Sequence, residues 1–109
     1  MNRKRAPREV KSKRKGVIQP KPIELGSRLT IVEAPELHRT LVARLAGGGA
    51  IVVDGTQVEE IDTAILQLLT SLWRTAPLRG TACTWHGASD VLRDTANLIG
   101  VAEALQFPP

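Results

Sequence analysis

The sequence predicts an α/β fold with helices packed on a mixed sheet. Three observations carry this. The run Ala50-Ile51-Val52-Val53 is continuous and rich in β-branched residues, as a central strand covered on both faces requires. Three other segments repeat apolar residues at helical spacing. Glycine and proline punctuate the chain so that the elements fall in the order β-β-α-β-α-β-α, an alternation that lays helices on a sheet.

Ile23–Leu25 and Leu29–Val32 are short apolar runs separated by Gly26-Ser27, which predicts a hairpin with a tight turn. Pro35 suits the first position of a helix, where a missing N–H costs nothing. Leu37, Leu41, Val42 and Leu45 then mark one helical face, and Gly47-Gly48-Gly49 ends it. Asp54 closes the central strand, and residues 55–61 read as a loop. Asp62 is placed to cap a second helix. Leu66, Leu69 and Trp73 form one stripe along that helix and Ile65, Leu68 and Leu72 a neighbouring one, with Gln67, Ser71 and Arg74 on the wet side. Pro77 and Gly80 end it. Thr81–Trp85 is the last strand, with Cys83 expected as a buried filler. Ser89 is the N-cap candidate of a third helix whose inward residues are Val91, Leu92, Thr95, Ala96 and Ile99, with Gly100 as its stop. Val101–Leu105 adds a final turn.

A chain of 109 residues supports one compact domain. Its net charge of +4 conceals two populations. Residues 1–22 carry nine Lys or Arg against Glu9 alone, a balance of +8, whereas residues 23–109 carry six basic and ten acidic groups, a balance of −4. The first segment holds few large apolar residues and three prolines, so it is expected to be a disordered basic tail preceding the domain at 23–109. Such a tail attracts nucleic acid or an anionic membrane surface; equally, it serves as a solubilising extension. No aromatic residue is interleaved with its charges, so stacking on bases is not available to it.

Several chemistries are disfavoured. The chain contains neither GxxxxGK[ST] nor GxGxxG, so no nucleotide cofactor is expected. With one cysteine, Cys83, a disulfide within the chain is impossible, and reducing cytoplasm is the expected setting. No apolar run is long enough to span a bilayer, and no secretory h-region follows the N-terminal charges. Glu59, Glu60 and Asp62 form an acidic stretch, but three carboxylates without a fourth fixed ligand do not make a metal site. Asp54 invites comparison with a phosphorylated receiver, but the paired acids after the first strand and the late lysine are missing.

The most informative stretch is Val58-Glu59-Glu60-Ile61-Asp62-Thr63-Ala64-Ile65-Leu66-Gln67-Leu68-Leu69. An apolar strand ending at Asp54, an acidic loop, then Asp-Thr-Ala at a helix start resembles the STAS domains, the family of anti-sigma-factor antagonists. The Asp-Thr-Ala variant looks most like the STAS subunits of bacterial phospholipid ABC transporters. The family carries glycine where this chain has Ile65. The resemblance implies a four- to five-stranded mixed sheet with helices packed on it and a non-enzymatic module with no small-molecule substrate. It implies a protein partner bound through the Asp54–Leu69 region: a serine/threonine kinase that acts as an anti-sigma factor, or the ATPase subunit of a transporter. In the first case Thr63 is the phospho-acceptor.

Physics supports that position without the family. A helix N-terminus offers N–H groups and the positive end of the helix dipole to a phosphate. Phosphorylation would add about −1.5 to −2 charges beside Asp62, Glu60 and Asp54, turning the patch strongly anionic. If the strands at 50–53 and 81–85 are adjacent and parallel, both end at the carboxyl edge where α/β sites collect. Trp85, His86 and Ser89 would then border the Thr63 loop, with Trp85 either an interface anchor or a cover for the core. Ile65 is compatible with the core and with the partner face.

Overall fold

The computed structural model describes residues 21–109. The elements are β1 (Ile23–Glu24), β2 (Arg28–Leu29), α1 (Ala34–Gly47), β3 (Ile51–Gly55), β4 (Glu60–Ile61), α2 (Thr63–Thr75), β5 (Cys83–Ala88), α3 (Asp90–Leu98) and α4 (Ala102–Leu105), with 3-10 turns at Ile31–Glu33 and Ala76–Arg79. The chain is therefore α/β, as its patterning predicts. The expected disordered tail falls almost wholly outside the described residues. Among the described residues no helix is long and apolar enough to cross a membrane.

Strands β1, β3 and β5 form one sheet in the order β1-β3-β5, and β2 and β4 form a second. Each of the three pairings runs parallel. The hairpin expected across Gly26-Ser27 does not form. Gly26, at φ 80°, is instead a corner that hands the chain from one sheet to the other. The Ser27 carbonyl accepts from the Glu59 and Glu60 amides at 2.8 and 3.0 Å, and Arg28 lies opposite Glu60 in the register. The Arg28 Nε donates to Glu60 Oε1 at 3.1 Å, an exposed charge pair across the parallel pairing.

The expected strand at 29–32 stops at Leu29 for a local reason. Thr30 and Glu33 make a reciprocal capping box: Glu33 Oε1 accepts from the Thr30 amide and hydroxyl at 2.7 and 2.8 Å, and Thr30 Oγ1 accepts from the Val32 amide at 3.3 Å. Helical geometry thus begins at Ile31, and Pro35 sits inside the first turn of α1.

β3 is the middle strand, with Ile51 and Val53 fully buried. The core continues through Ile65, Leu66 and Leu69 of α2, Leu92 of α3 and Leu105 of α4. Val42 and Val91, assigned inward by spacing, lie on the exposed sides of their helices, and Cys83 is only half-buried. All three aromatic residues stack together: Trp73 on Trp85 at 4.7 Å between ring centroids, and Trp85 on Phe107 at 4.9 Å. The Trp85 indole N–H donates to the Leu105 carbonyl at 2.8 Å, pinning α4 to β5. Gly55 ends β3 under this stack, where a Cβ would lie 2.5 Å from Leu92 Cδ2 and 3.2 Å from Trp85 Cζ3. A larger residue there would have to displace the Leu92 side chain.

Candidate functional site

Two groups of polar residues gather where the strands end. The first lies at the carboxyl edge of the β1-β3-β5 sheet, which the parallel β3–β5 pairing places as expected. Asp54 Oδ1 accepts from the Thr56 hydroxyl at 2.7 Å and the Thr56 amide at 2.9 Å, closing a turn just past the strand. These Thr56 bonds hold the Asp54 carboxyl below its ordinary pKa, with a smaller contribution from the nearby His86. The register slips between Val53 and Asp54, from Val53 opposite Trp85 to Asp54 opposite Gly87, so His86 is the extra, exposed residue of a bulge. Ser89 is the N-cap of α3, accepting from the Leu92 amide at 3.1 Å, and its hydroxyl donates to the Val58 carbonyl at 2.6 Å. It fastens the loop after β3 to the start of α3. A side chain with both of these bonds is structural.

Because the folded state lowers the Asp54 pKa, its stabilising contribution is present above the unfolded value, about 3.9, and is lost as pH falls through the folded one. Asp54→Asn keeps an acceptor for Thr56 but removes the charge. Urea midpoints measured from pH 7 to pH 2 should therefore show wild type ahead at neutral pH, with the gap closing on acidification. A gap that stays constant across that range would show that the Asp54 charge does not contribute.

The second group surrounds the start of α2. Asp62 is the N-cap residue by position, yet its side chain does not cap α2. Its Oδ2 accepts from the Ile31 amide at 2.8 Å, and its own amide donates to the Leu29 carbonyl at 2.8 Å. The expected cap is thus corrected. The first amide of the neighbouring 3-10 turn competes for the carboxylate, while the Ile65 and Leu66 amides turn to the Asp62 carbonyl at 3.0 and 3.2 Å. Thr63 opens α2 and is exposed. Glu60, also exposed, is paired with Arg28, which moderates the negative charge of the loop.

Two expected partner contacts belong to the interior. Ile65 is fully buried: its α2 position points into the core between the sheet and the helices. Trp85 is 9 % exposed, sandwiched between Trp73 and Phe107, and its polar handle is spent on Leu105. Neither offers surface to a partner. The exposed apolar surface near Thr63 comes from residues that periodicity assigned to a strand. Ile31 and Val32 are 62 % and 78 % exposed, and the Ile31 backbone is tied directly to Asp62. The signal that could have found them is the Thr30-x-x-Glu33 capping box, which puts the two intervening residues on an outward first turn.

Thr63, Asp62, Glu60 and the Ile31–Val32 step thus cluster at one end of α2, while Asp54, His86 and Ser89 cluster at the sheet edge. The loop between them is anchored by Val58, which is 1 % exposed. The arrangement has the parts of a docking face: a hydroxyl at a helix start, acids beside it and an apolar step at its border. No curated protein matches the chain. A family model described as "Mlab, STAS domain" matches residues 17–106. That match takes in every element from β1 to α4, and the chain belongs to the STAS domain family.

Proposed function

We propose that this chain is a non-enzymatic protein-interaction module whose working face is the start of α2 together with the Ile31–Val32 step. The observation that carries the reading is the exposed Thr63 at the first position of α2, beside an Asp62 whose carboxylate is turned away to Ile31. With no side chain capping α2, a phosphate on the Thr63 hydroxyl would meet the positive end of the helix rather than a carboxylate. The same phosphate would place about two negative charges against any partner seated on the face. The unmodified chain is then the binding form and the phosphorylated chain the released form. The partner in this reading is a serine/threonine kinase that acts as an anti-sigma factor. In a second reading, supported by the Asp62-Thr63-Ala64 sequence at the start of α2, the partner is the ATPase subunit of a phospholipid transporter, and the bare hydroxyl makes the contact.

Capture from native lysate with wild type, Thr63→Ala and Thr63→Glu, with the intact mass of each recovered bait, tests both. Recovery of a kinase by wild type and not by Thr63→Glu, with part of the bait heavier by one phosphate, establishes the switch. Recovery of an ABC ATPase with no added mass establishes the transporter reading. Equal recovery of the same partners by all three baits would overturn both, because each routes recognition through Thr63.

A further inference from the structure

Beside the edge strand β1 lies an open groove of about 530 Å³, bounded on its other side by α1. Its floor is apolar, formed by Ile23, Leu25, Leu29 and Leu37, all buried from bulk water. Its rim is acidic: Glu24 from β1, Glu33 from the 3-10 turn and Glu36 from α1. The capping bonds from Thr30 hold the Glu33 carboxyl below its ordinary pKa, so it remains an anion. Arg44 also lines the groove, and its Nη1 donates to the Lys21 carbonyl at 2.8 Å, fixing the chain at the groove's mouth.

We propose that this groove docks the basic N-terminal segment of the same chain, residues 1–16, with its lysines and arginines on the Glu24, Glu33 and Glu36 rim. Charge complementarity is the first argument. Residues 1–16 carry eight Lys or Arg against Glu9 alone, whereas residues 23–109 have a balance of −4. Position is the second. Lys11–Lys15 lies six to ten residues before Lys21, a span of roughly 20–35 Å at about 3.3–3.6 Å per residue, enough to run the length of α1. A leash of that length holds the segment at an effective concentration in the millimolar range, so weak ion pairs suffice. The residue types are the third. The segment contains no aromatic residue for stacking on bases but does bring Val10 to an apolar floor. The family match covers residues 17–106, so the segment lies outside it.

The test uses the full chain in a Cys83→Ser background, with a nitroxide attached at Ser12→Cys and the amide signals of the domain recorded. The amides of Glu24, Glu33, Ala34, Glu36 and Leu37 should lose at least half their intensity relative to the reduced label. Glu24→Lys/Glu36→Lys, two exposed positions whose spectrum reports the fold directly, should restore that intensity, as should 0.5 M NaCl. Isotope-labelled chain mixed with spin-labelled, unenriched chain should show no comparable loss. Equal broadening in the mixture would assign the groove to a second copy and overturn the proposal. So would broadening that is centred elsewhere or is unchanged by the charge reversal.

Discussion

Trp85→Ala should lower the unfolding free energy by about 3–5 kcal/mol, the cost typical of emptying an aromatic site in a core. His86→Ala, one residue along, should change it by about 0.5 kcal/mol or less, as exposed positions do. The contrast follows from the β-bulge: Trp85 faces the core, whereas His86 is the extra residue and points to solvent. Removing the indole takes away the ring lying between Trp73 and Phe107 and leaves the Leu105 carbonyl without its donor. Against a domain stability of about 5–15 kcal/mol, the loss is large enough to shift urea midpoints measured by far-ultraviolet circular dichroism well outside error. Had Trp85 been an interface anchor, its removal would spare the fold and weaken only partner binding. Midpoints for Trp85→Ala within error of wild type would restore that assignment.

Much of the fold is legible in local pattern because its longest elements have clear periods. The β3 run and the two stripes of α2 read correctly, and so do the Ser89 cap and the stop at Gly100, since each depends on residues within a few positions. What is not legible depends on residues far away in the chain. β2 and β4 are two residues each, too short to carry a period, and their pairing brings together residues 32 positions apart in the chain. Asp62 has the right identity to cap its own helix, but a backbone amide at Ile31 claims it. In the sequence Trp85 is compatible with an interface and with a core, because a large amphipathic ring suits both equally. Its stacking partners lie on α2 and in the C-terminal segment, and only the assembled fold brings them together. Asp62 and Thr63 are legible as the start of α2, where the motif sits, whereas the exposed Ile31–Val32 step beside them is not.

Ile31→Asp should weaken the partner that wild type captures by about 30-fold or more, equivalent to about 2 kcal/mol, while leaving the urea midpoint nearly unchanged. The Ile31 side chain is 62 % exposed, so it contributes little to the core. Its amide, not its side chain, makes the bond to Asp62, so substitution leaves that tie in place. An acid at the first turn is also compatible with the positive end of the helical segment that begins there. What the substitution changes is the apolar step at the border of the Thr63 face, which a docked partner would have to dehydrate against a new charge. Val32, though more exposed, also lines the groove beside β1, so Ile31 is the cleaner probe. Affinity of wild type and Ile31→Asp for the captured partner, measured by titration calorimetry, decides the matter. A variant that keeps wild-type affinity would confine the interface to Thr63 and its polar neighbours. A loss matching that of Thr63→Glu would place hydroxyl and apolar step in one contact, reached by joining an outward turn near the start of the domain to a helix 31 residues later through Asp62.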